Sequence, residues 1–321
     1  MSFLSLVLYI PLQLGFIPLA LLGASLVAYR QLVISKKLGV SQTAIEVLNG
    51  RWTMHVFGIR IDDATAKLAT ALPNTSLTGL WLAFFPLWLK YRISGKLFLY
   101  PRVPEAGAEG LRDLIVSRTL YFDRVIERAI GEVEQFVIMG AGCDMRAYGD
   151  LQEKGVAFFE LDQASVQQHK QNALAEAGIP CEHVRFVAVD FSEENAFDKL
   201  SEAGFDRNKK TLFLWEGVTL YLSESDVRKT MQEVRKYSPA GSVLLVDIYA
   251  DYFVNIGKLS AVKKTLDYTD EGFGFSLPFA TNYEKTLFEF VDSESMSVGE
   301  AYFMGSTSDK GPFAVVVEMK R

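Results

Sequence analysis

Five short apolar runs, "QFVIMG" (135–140), "VAFFELD" (156–162), "VRFVAVD" (184–190), "TLFLWEG" (211–217) and "SVLLVDIY" (242–249), alternate with polar stretches of helical period. Strands this continuous in apolar residues belong to a parallel sheet covered on both faces, because alternation with polar residues survives only where one face meets water. The stretches between them, such as "QASVQQHKQNALAEAG" and "SESDVRKTMQEVRKYS", supply the crossovers. The second opens at Ser223 with Asp226 in capping-box spacing and stops at Pro239-Ala240-Gly241. Strand and helix in alternation predict an α/β, doubly wound, Rossmann-like sheet over residues 111–321. Two later runs, "KTLFEFVD" and "FAVVVEM", are expected to add an antiparallel edge pair and bring the sheet to seven strands.

The strand ends point to a ligand. In a doubly wound sheet ligands sit beyond the carboxyl ends of the strands, where the first strand turns into its helix. That turn here is Gly140-Ala141-Gly142. Its glycines let the backbone approach a ligand with no Cβ in the way. A dinucleotide fingerprint would want a third glycine where Met145 stands, which disfavours tight pyrophosphate binding. The second strand closes on Glu160-Leu161-Asp162, the third on Asp190 and the fourth on Glu216. Asp162 lies 20 residues beyond Gly142, where an acid can accept hydrogen bonds from ribose hydroxyls.

Taken in order and spacing, "SRTLYFDRVI", "GAGCDMRAY", "FFELDQ", "VDF", "AGFD" and "WEGVTLYLSE" resemble the leucine carboxyl methyltransferase family, S-adenosylmethionine-dependent enzymes that include bacterial polyketide O-methyltransferases. The likeness runs from about Ser117 to Asp247. It implies a methyltransferase-type sheet, which the antiparallel pair separates from the dinucleotide type. It also implies that Arg118 holds the methionyl carboxylate of S-adenosylmethionine, with Gly140, Ala141 and Gly142 against the methionyl part and Arg146 bracing the turn. Asp162 would hold the ribose, Asp190 and Phe191 would frame the adenine, and Glu216 would face the methionyl amine and the transfer site. The sequence departs from the family at Met145, where Thr or Ser is usual, at Cys143, and in its long hydrophobic N-terminal region.

Methyl transfer from a sulfonium neutralises charge as it proceeds, so alignment in a dry pocket supplies much of the acceleration and a base is optional. A carboxylate acceptor is already ionised at neutral pH, whereas a hydroxyl calls for a general base. Only three histidines occur, His55, His169 and His183, and each is expected to be structural or solvent-facing. Carboxyl or phenol-like acceptors are therefore favoured, with Glu216 and Tyr221 as the catalytic candidates lining the site. Cys143 and Cys181 form no CxxC and meet no histidine cluster, so no metal site is expected. Missing the third glycine and an evident Tyr-x-x-x-Lys arrangement, the chain is disfavoured as a nicotinamide-dependent dehydrogenase; a catalytically silent membrane adaptor that keeps the fold is the other alternative.

The region 1–110 differs in kind. Its first 29 residues carry no charged side chain, and residues 4–28 exceed the roughly 20 apolar residues that cross a bilayer. A transmembrane helix is expected there, with a signal peptide or a buried helix as rivals. Arg30, Lys36, Lys37, Arg51 and Arg60 follow, with Glu46 the only acid before Asp62. The positive-inside rule then predicts a single pass with the catalytic domain facing the cytoplasm. A second apolar patch, residues 77–92 with Trp81 and Trp88, reads as an interfacial helix, a re-entrant segment, a lid or a second span. With 33 Lys plus Arg against 39 Asp plus Glu, a net charge of -6 argues against a nucleic-acid partner. A lipid-like or membrane-delivered small-molecule acceptor is expected instead.

Overall fold

The computed structural model describes residues 3–190, 195–257, 264, 268 and 272–321. By its internal contacts the chain divides into two units, one of residues 1–103 with 143–145 and 169–180, the other of residues 104–142, 146–168 and 181–321.

The larger unit holds a seven-stranded sheet: β1 (Gln135–Met139), β2 (Ala157–Asp162), β3 (Val184–Ala188), β4 (Thr211–Trp215), β5 (Val243–Tyr249), β6 (Ser297–Met304) and β7 (Ala314–Lys320). Their order is β3-β2-β1-β4-β5-β7-β6. Strands β1 to β5 pair in parallel, and β7 runs antiparallel to both β5 and β6. Because β1 lies between β2 and β4, the winding reverses there, which opens a crevice at the carboxyl ends of those strands. Every residue of β1, β4 and β5 is buried, so both faces of the central sheet are covered, as the continuous apolar runs require.

The helices around these strands are α6 (Leu114–Ala129), α7 (Ala164–Glu176), α8 (Ala196–Glu202), α9 (Glu224–Tyr237), α10 (Asp251–Ile256) and α11 (Tyr283–Ser293). The Ser223 side chain accepts from the amide of Asp226, which starts α9 at the anticipated cap. One face of the sheet, with Val137, Phe159, Phe213 and Leu244, packs on Phe197 of α8, Met231 of α9 and Leu287 of α11 in a single apolar core. The run "KTLFEFVD" is not a strand but part of α11. Leu287, Phe290 and Val291 are buried at helical spacing while Phe288 is exposed, a 3.6-residue period that a short apolar run conceals. The edge strand is β6, and "FAVVVEM" forms β7 inside it.

In the other unit, α1 (Phe3–Ala28) continues through a π-helical stretch (Tyr29–Ile34) into α2 (Ser35–Leu38) and is followed by α3 (Gln42–Val56), α4 (Asp63–Ala71) and α5 (Leu77–Ser94). The helix over Ser5–Leu38 is long and apolar enough to cross a membrane, and only 11% of its most apolar stretch is buried. Arg51 of α3 pairs with Asp144 at 2.9 Å, and Lys170 donates to the Asp144 carbonyl at 2.5 Å.

Phe213 is fully buried at the middle of the sheet's core face. Phe213→Ala is expected to destabilise the chain by about 3–5 kcal/mol, seen as a lower denaturant midpoint at unchanged slope.

Candidate active site at the carboxyl ends of the strands

Leaving β1, the chain turns through Gly140 at φ +69° and Gly142 at φ +46°. A Cβ on Gly140 would run into Val218 Cγ2, so this position excludes any side chain on both conformational and steric grounds. The amides of Gly140 and Ala141 donate to the Leu161 carbonyl at 2.8 and 2.9 Å, tying the turn to β2. At the end of β2, the Asp162 carboxylate accepts from the amides of Gly142 at 2.7 Å and Gln163 at 2.8 Å. The glycine turn and the acid 20 residues on are thus held edge to edge. Asp190, just past β3, is half-buried, and Phe191 lies outside the described residues.

Beside the turn stands a buried charge cluster. Arg118 of α6 donates to Asp247 Oδ2 at 3.0 Å and to the Tyr249 hydroxyl at 2.6 Å, and its Nε lies 3.2 Å from Glu216 Oε1. Arg146, in the short 3-10 turn Arg146–Tyr148, donates to Glu216 Oε2 and to Asp123 Oδ1, both at 2.7 Å. The Tyr249 hydroxyl donates to Asp247 Oδ2 at 2.7 Å, and the Gly217 amide donates to Oδ1 at 2.8 Å. Burial pushes the Asp247 carboxyl up, opposed by Arg118 and the two donors, and pushes the Tyr249 phenol well above its usual value. The Arg118 guanidinium is held charged, its desolvation outweighed by Tyr249, Glu216 and Asp247 around it.

Of the residues singled out from the sequence, Arg118, Arg146 and Glu216 form one network, while Gly140, Ala141, Gly142 and Asp162 form the adjoining turn. Arg146, for which the resemblance implies a bracing role, bonds to Asp123 and to Glu216 just past the end of β4. Tyr221 sits in the turn after β4, its ring 5.9 Å from Phe273. Asp123, Asp247 and Tyr249 were not anticipated. An acid inside the apolar run "VLLVDIY" is the signal for Asp247, since a buried carboxylate without a cationic partner is prohibitive.

Each histidine has a partner elsewhere. His55 Nδ1 accepts from the Asp62 amide at 3.0 Å, His169 Nε2 lies 3.3 Å from Asn74 Oδ1, and His183 Nε2 lies 2.8 Å from the Ala147 carbonyl. Cys143 is buried and Cys181 half-buried, and neither is in a disulfide.

Two predictions follow from these bonds. Tyr249→Phe removes a donor to Asp247 and an acceptor for Arg118, and is expected to cost about 1–2 kcal/mol in chemical denaturation. Burial lowers the His169 pKa below its usual 6.5. As the pH falls, the unfolded chain takes up this proton before the folded one does. The contribution of neutral His169 is therefore complete above 6.5 and is lost as the pH falls through the lowered folded value. The stability difference between wild type and His169→Gln should shrink between about pH 7.5 and 5, in denaturation curves taken across that range.

Residues 94–235 match the model of the leucine carboxyl methyltransferase family. A "Putative S-adenosyl-L-methionine-dependent methyltransferase" of Mycobacterium marinum is 31% identical over 150 residues, 46% of this chain and 50% of the relative. A similarly named protein of Mycolicibacterium smegmatis is 37% identical over 152 residues, 45% of this chain and 48% of that one. The chain spans about half the length of the curated relatives it matches. Among solved structures, a "putative methyltransferase" from Thermobifida fusca aligns with 80% of this chain and 94% of its own at 13% identity and a TM-score of 0.47. The matched stretch, residues 94–235, is less than half of this chain and includes the glycine turn, Arg118, Arg146, Asp162 and Glu216; over it the chain is similar to the leucine carboxyl methyltransferase family.

Proposed function

We propose that the protein is an S-adenosylmethionine-dependent O-methyltransferase acting on a carboxyl or hydroxyl group of a hydrophobic or membrane-associated small molecule. The observation that carries this reading is the buried cluster of Arg118, Arg146, Glu216, Asp247 and Asp123 beside the Gly140–Gly142 turn, at the point where the strand order reverses.

The residues fit the ligand by charge. Two guanidiniums against three carboxylates leave the cluster with one formal negative charge, and Asp162 adds a second nearby. S-adenosylmethionine carries an ammonium and a sulfonium against one carboxylate, so its net positive charge complements that rim.

When bound, S-adenosylmethionine supplies an electrophilic methyl group on a positively charged sulfur. Arg118, fixed by Asp247 and Tyr249, would orient the methionyl carboxylate, and Glu216 would accept from the methionyl ammonium. Asp162 would accept from the ribose hydroxyls, while Asp190 and Phe191 would frame the adenine. Glu216 and Tyr221 would line the approach of the acceptor. Because His55, His169 and His183 are engaged elsewhere, a carboxylate acceptor is favoured over a hydroxyl: it needs orientation but no proton removal. A helix apolar on most of its surface favours an amphiphilic acceptor delivered from lipid.

Calorimetric titration of detergent-purified protein with S-adenosylhomocysteine and, separately, with NAD tests the cofactor. Binding of the first alone is expected, weakened at least about tenfold in Asp162→Ala, a loss of ~1.4 kcal/mol or more. Binding of NAD, or of neither ligand by folded protein, would overturn the reading. Label transfer from methyl-labelled S-adenosylmethionine to amphiphilic carboxylic acids and phenols then identifies the acceptor; cofactor binding without transfer to any of them would leave the adaptor reading in its place.

A further inference from the structure

Helices α1 and α5 pack against each other in opposite directions. Gly23 of α1 meets Gly79 of α5 so closely that a Cβ on either would come within 2.5 to 2.7 Å of the other's carbonyl oxygen. Farther along, Phe16 lies 5.5 Å from Phe85, and Tyr9 lies 5.6 Å from Phe98, just beyond the end of α5. Only a narrow seam of α1 is covered; Leu8, Leu14, Ile17, Leu21 and Leu22 are 43–65% exposed around the rest. On another side, α5 meets α3 through Trp81 against Trp52 and Tyr91 against Phe57. Helix α1 is therefore the outer layer of this unit, with α5 beneath it and α3 beneath α5. A helix apolar on nearly all sides, with most of them open, needs lipid rather than water.

The ends of α5 decide how that lipid is met. Before its start, Asn74 lies 3.3 Å from His169, which belongs to the helix joining β2 to β3, and its Nδ2 donates to Ser35 at 3.0 Å. Beyond its end, the Gly107 carbonyl accepts from the Thr307 amide at 3.0 Å, and Glu109 accepts from the Gly305 amide at 2.9 Å, beside β6. The chain before α5 thus bonds to the segment that covalently joins β2 to β3, and the chain after it bonds beside β6, so both flanks of α5 belong to stretches that cannot be parted by a bilayer. If α5 spanned the bilayer, residues 95–106 would have to cross back. That stretch is neither helix nor strand and contains Lys96, Arg102 and Glu105, and lipid does not admit irregular backbone. Since α1 runs beside α5 from Gly23 to Tyr9, it is held to the same side.

We propose that α1 and α5 form a hairpin embedded in one leaflet of an anionic bilayer, entering and leaving by the same face, so that the protein is monotopic and α1 lies within the leaflet. Exposed basic residues at both ends of the hairpin, Arg30 and Lys37 at one and Arg92 and Lys96 at the other, suit anionic headgroups. The Arg92 guanidinium also lies 5.6 Å from the Trp88 ring, an arrangement suited to headgroup depth. This inference stands independently of methyl transfer.

The test uses the full chain with one protease-removable tag before Met1 and another after Arg321, in sealed membrane vesicles whose outer surface is the cytoplasmic one. Added protease is expected to remove both tags without detergent. Protection of the N-terminal tag alone would establish a single crossing and overturn the proposal, as would loss of the N-terminal residues by processing. In a second experiment, Leu14→Asp combined with Leu21→Asp is expected to abolish flotation with phosphatidylcholine–phosphatidylglycerol vesicles. Its circular dichroism and S-adenosylhomocysteine binding should match those of wild type. Unchanged flotation, or a wild-type protein that ignores vesicles and buries α1 in a soluble dimer, would also overturn it.

Discussion

The pairing of Arg118 with Asp247 and Glu216 is the constraint to which the rest of the sheet-bearing unit answers. Moving a guanidinium or carboxylate out of water costs several kcal/mol, and this is offset only when every partner is in place with good geometry. The partners come from α6, from the end of β4 and from β5, so these three elements can pack in only one register without stranding a charge. Breaking one such pair typically costs about 3–5 kcal/mol, because the surviving ion remains buried alone. The cluster's value is therefore specificity more than net stability. It fixes Arg118 and Glu216 before any ligand arrives, and preorganised charges need little reorganisation when charge shifts beside them.

The glycine turn complements that rigidity. The cluster supplies oriented charge, whereas Gly140 lets the turn pack directly on Val218, and the two meet because Arg146 follows the turn and reaches Glu216 at 2.7 Å. Asp162 belongs to both requirements. In the absence of a ligand its carboxylate secures the Gly142 amide, so the acid expected to hold a ribose also holds the shape of the turn against which that ligand would lie. Substitution at Asp162 therefore acts on ligand contact and on turn geometry together.

Much of this was legible in the sequence because burial on two faces leaves a plain trace. Strands β1 to β5 appear as continuous apolar runs, and the turn residues and acids follow them directly in the chain. Helix α11 was not legible: a run of seven or eight apolar and polar residues satisfies both periods, and only the burial of Phe290 and Val291 together, three and four residues after Leu287, separates them. Strand β6, "SVGEAYFM", was passed over because Gly299 and Glu300 interrupt its apolar character. The roles of Asp247 and Tyr249 were hidden for another reason. They depend on a neighbour, Arg118, that lies 129 and 131 residues away, and no local pattern encodes that distance.

The N-terminal region shows where hydropathy stops being informative. Counting apolar residues says that α1 can be stable in hydrocarbon; it says nothing about which side the chain returns to. In the proposed hairpin that is decided by the chain flanking the apolar segments, where Asn74 lies 3.3 Å from His169 and the Gly107 carbonyl accepts from the Thr307 amide. The small residues matter as much as the large ones. Without a hydrophobic driving force between helices inside lipid, association rests on close packing, and Gly23 facing Gly79 provides the approach that holds α1 to α5. Replacing either glycine by a larger residue would separate the helices without changing the hydropathy profile at all. In the proposed hairpin the profile would be unaltered, while the contact that holds α1 beside α5 would be gone.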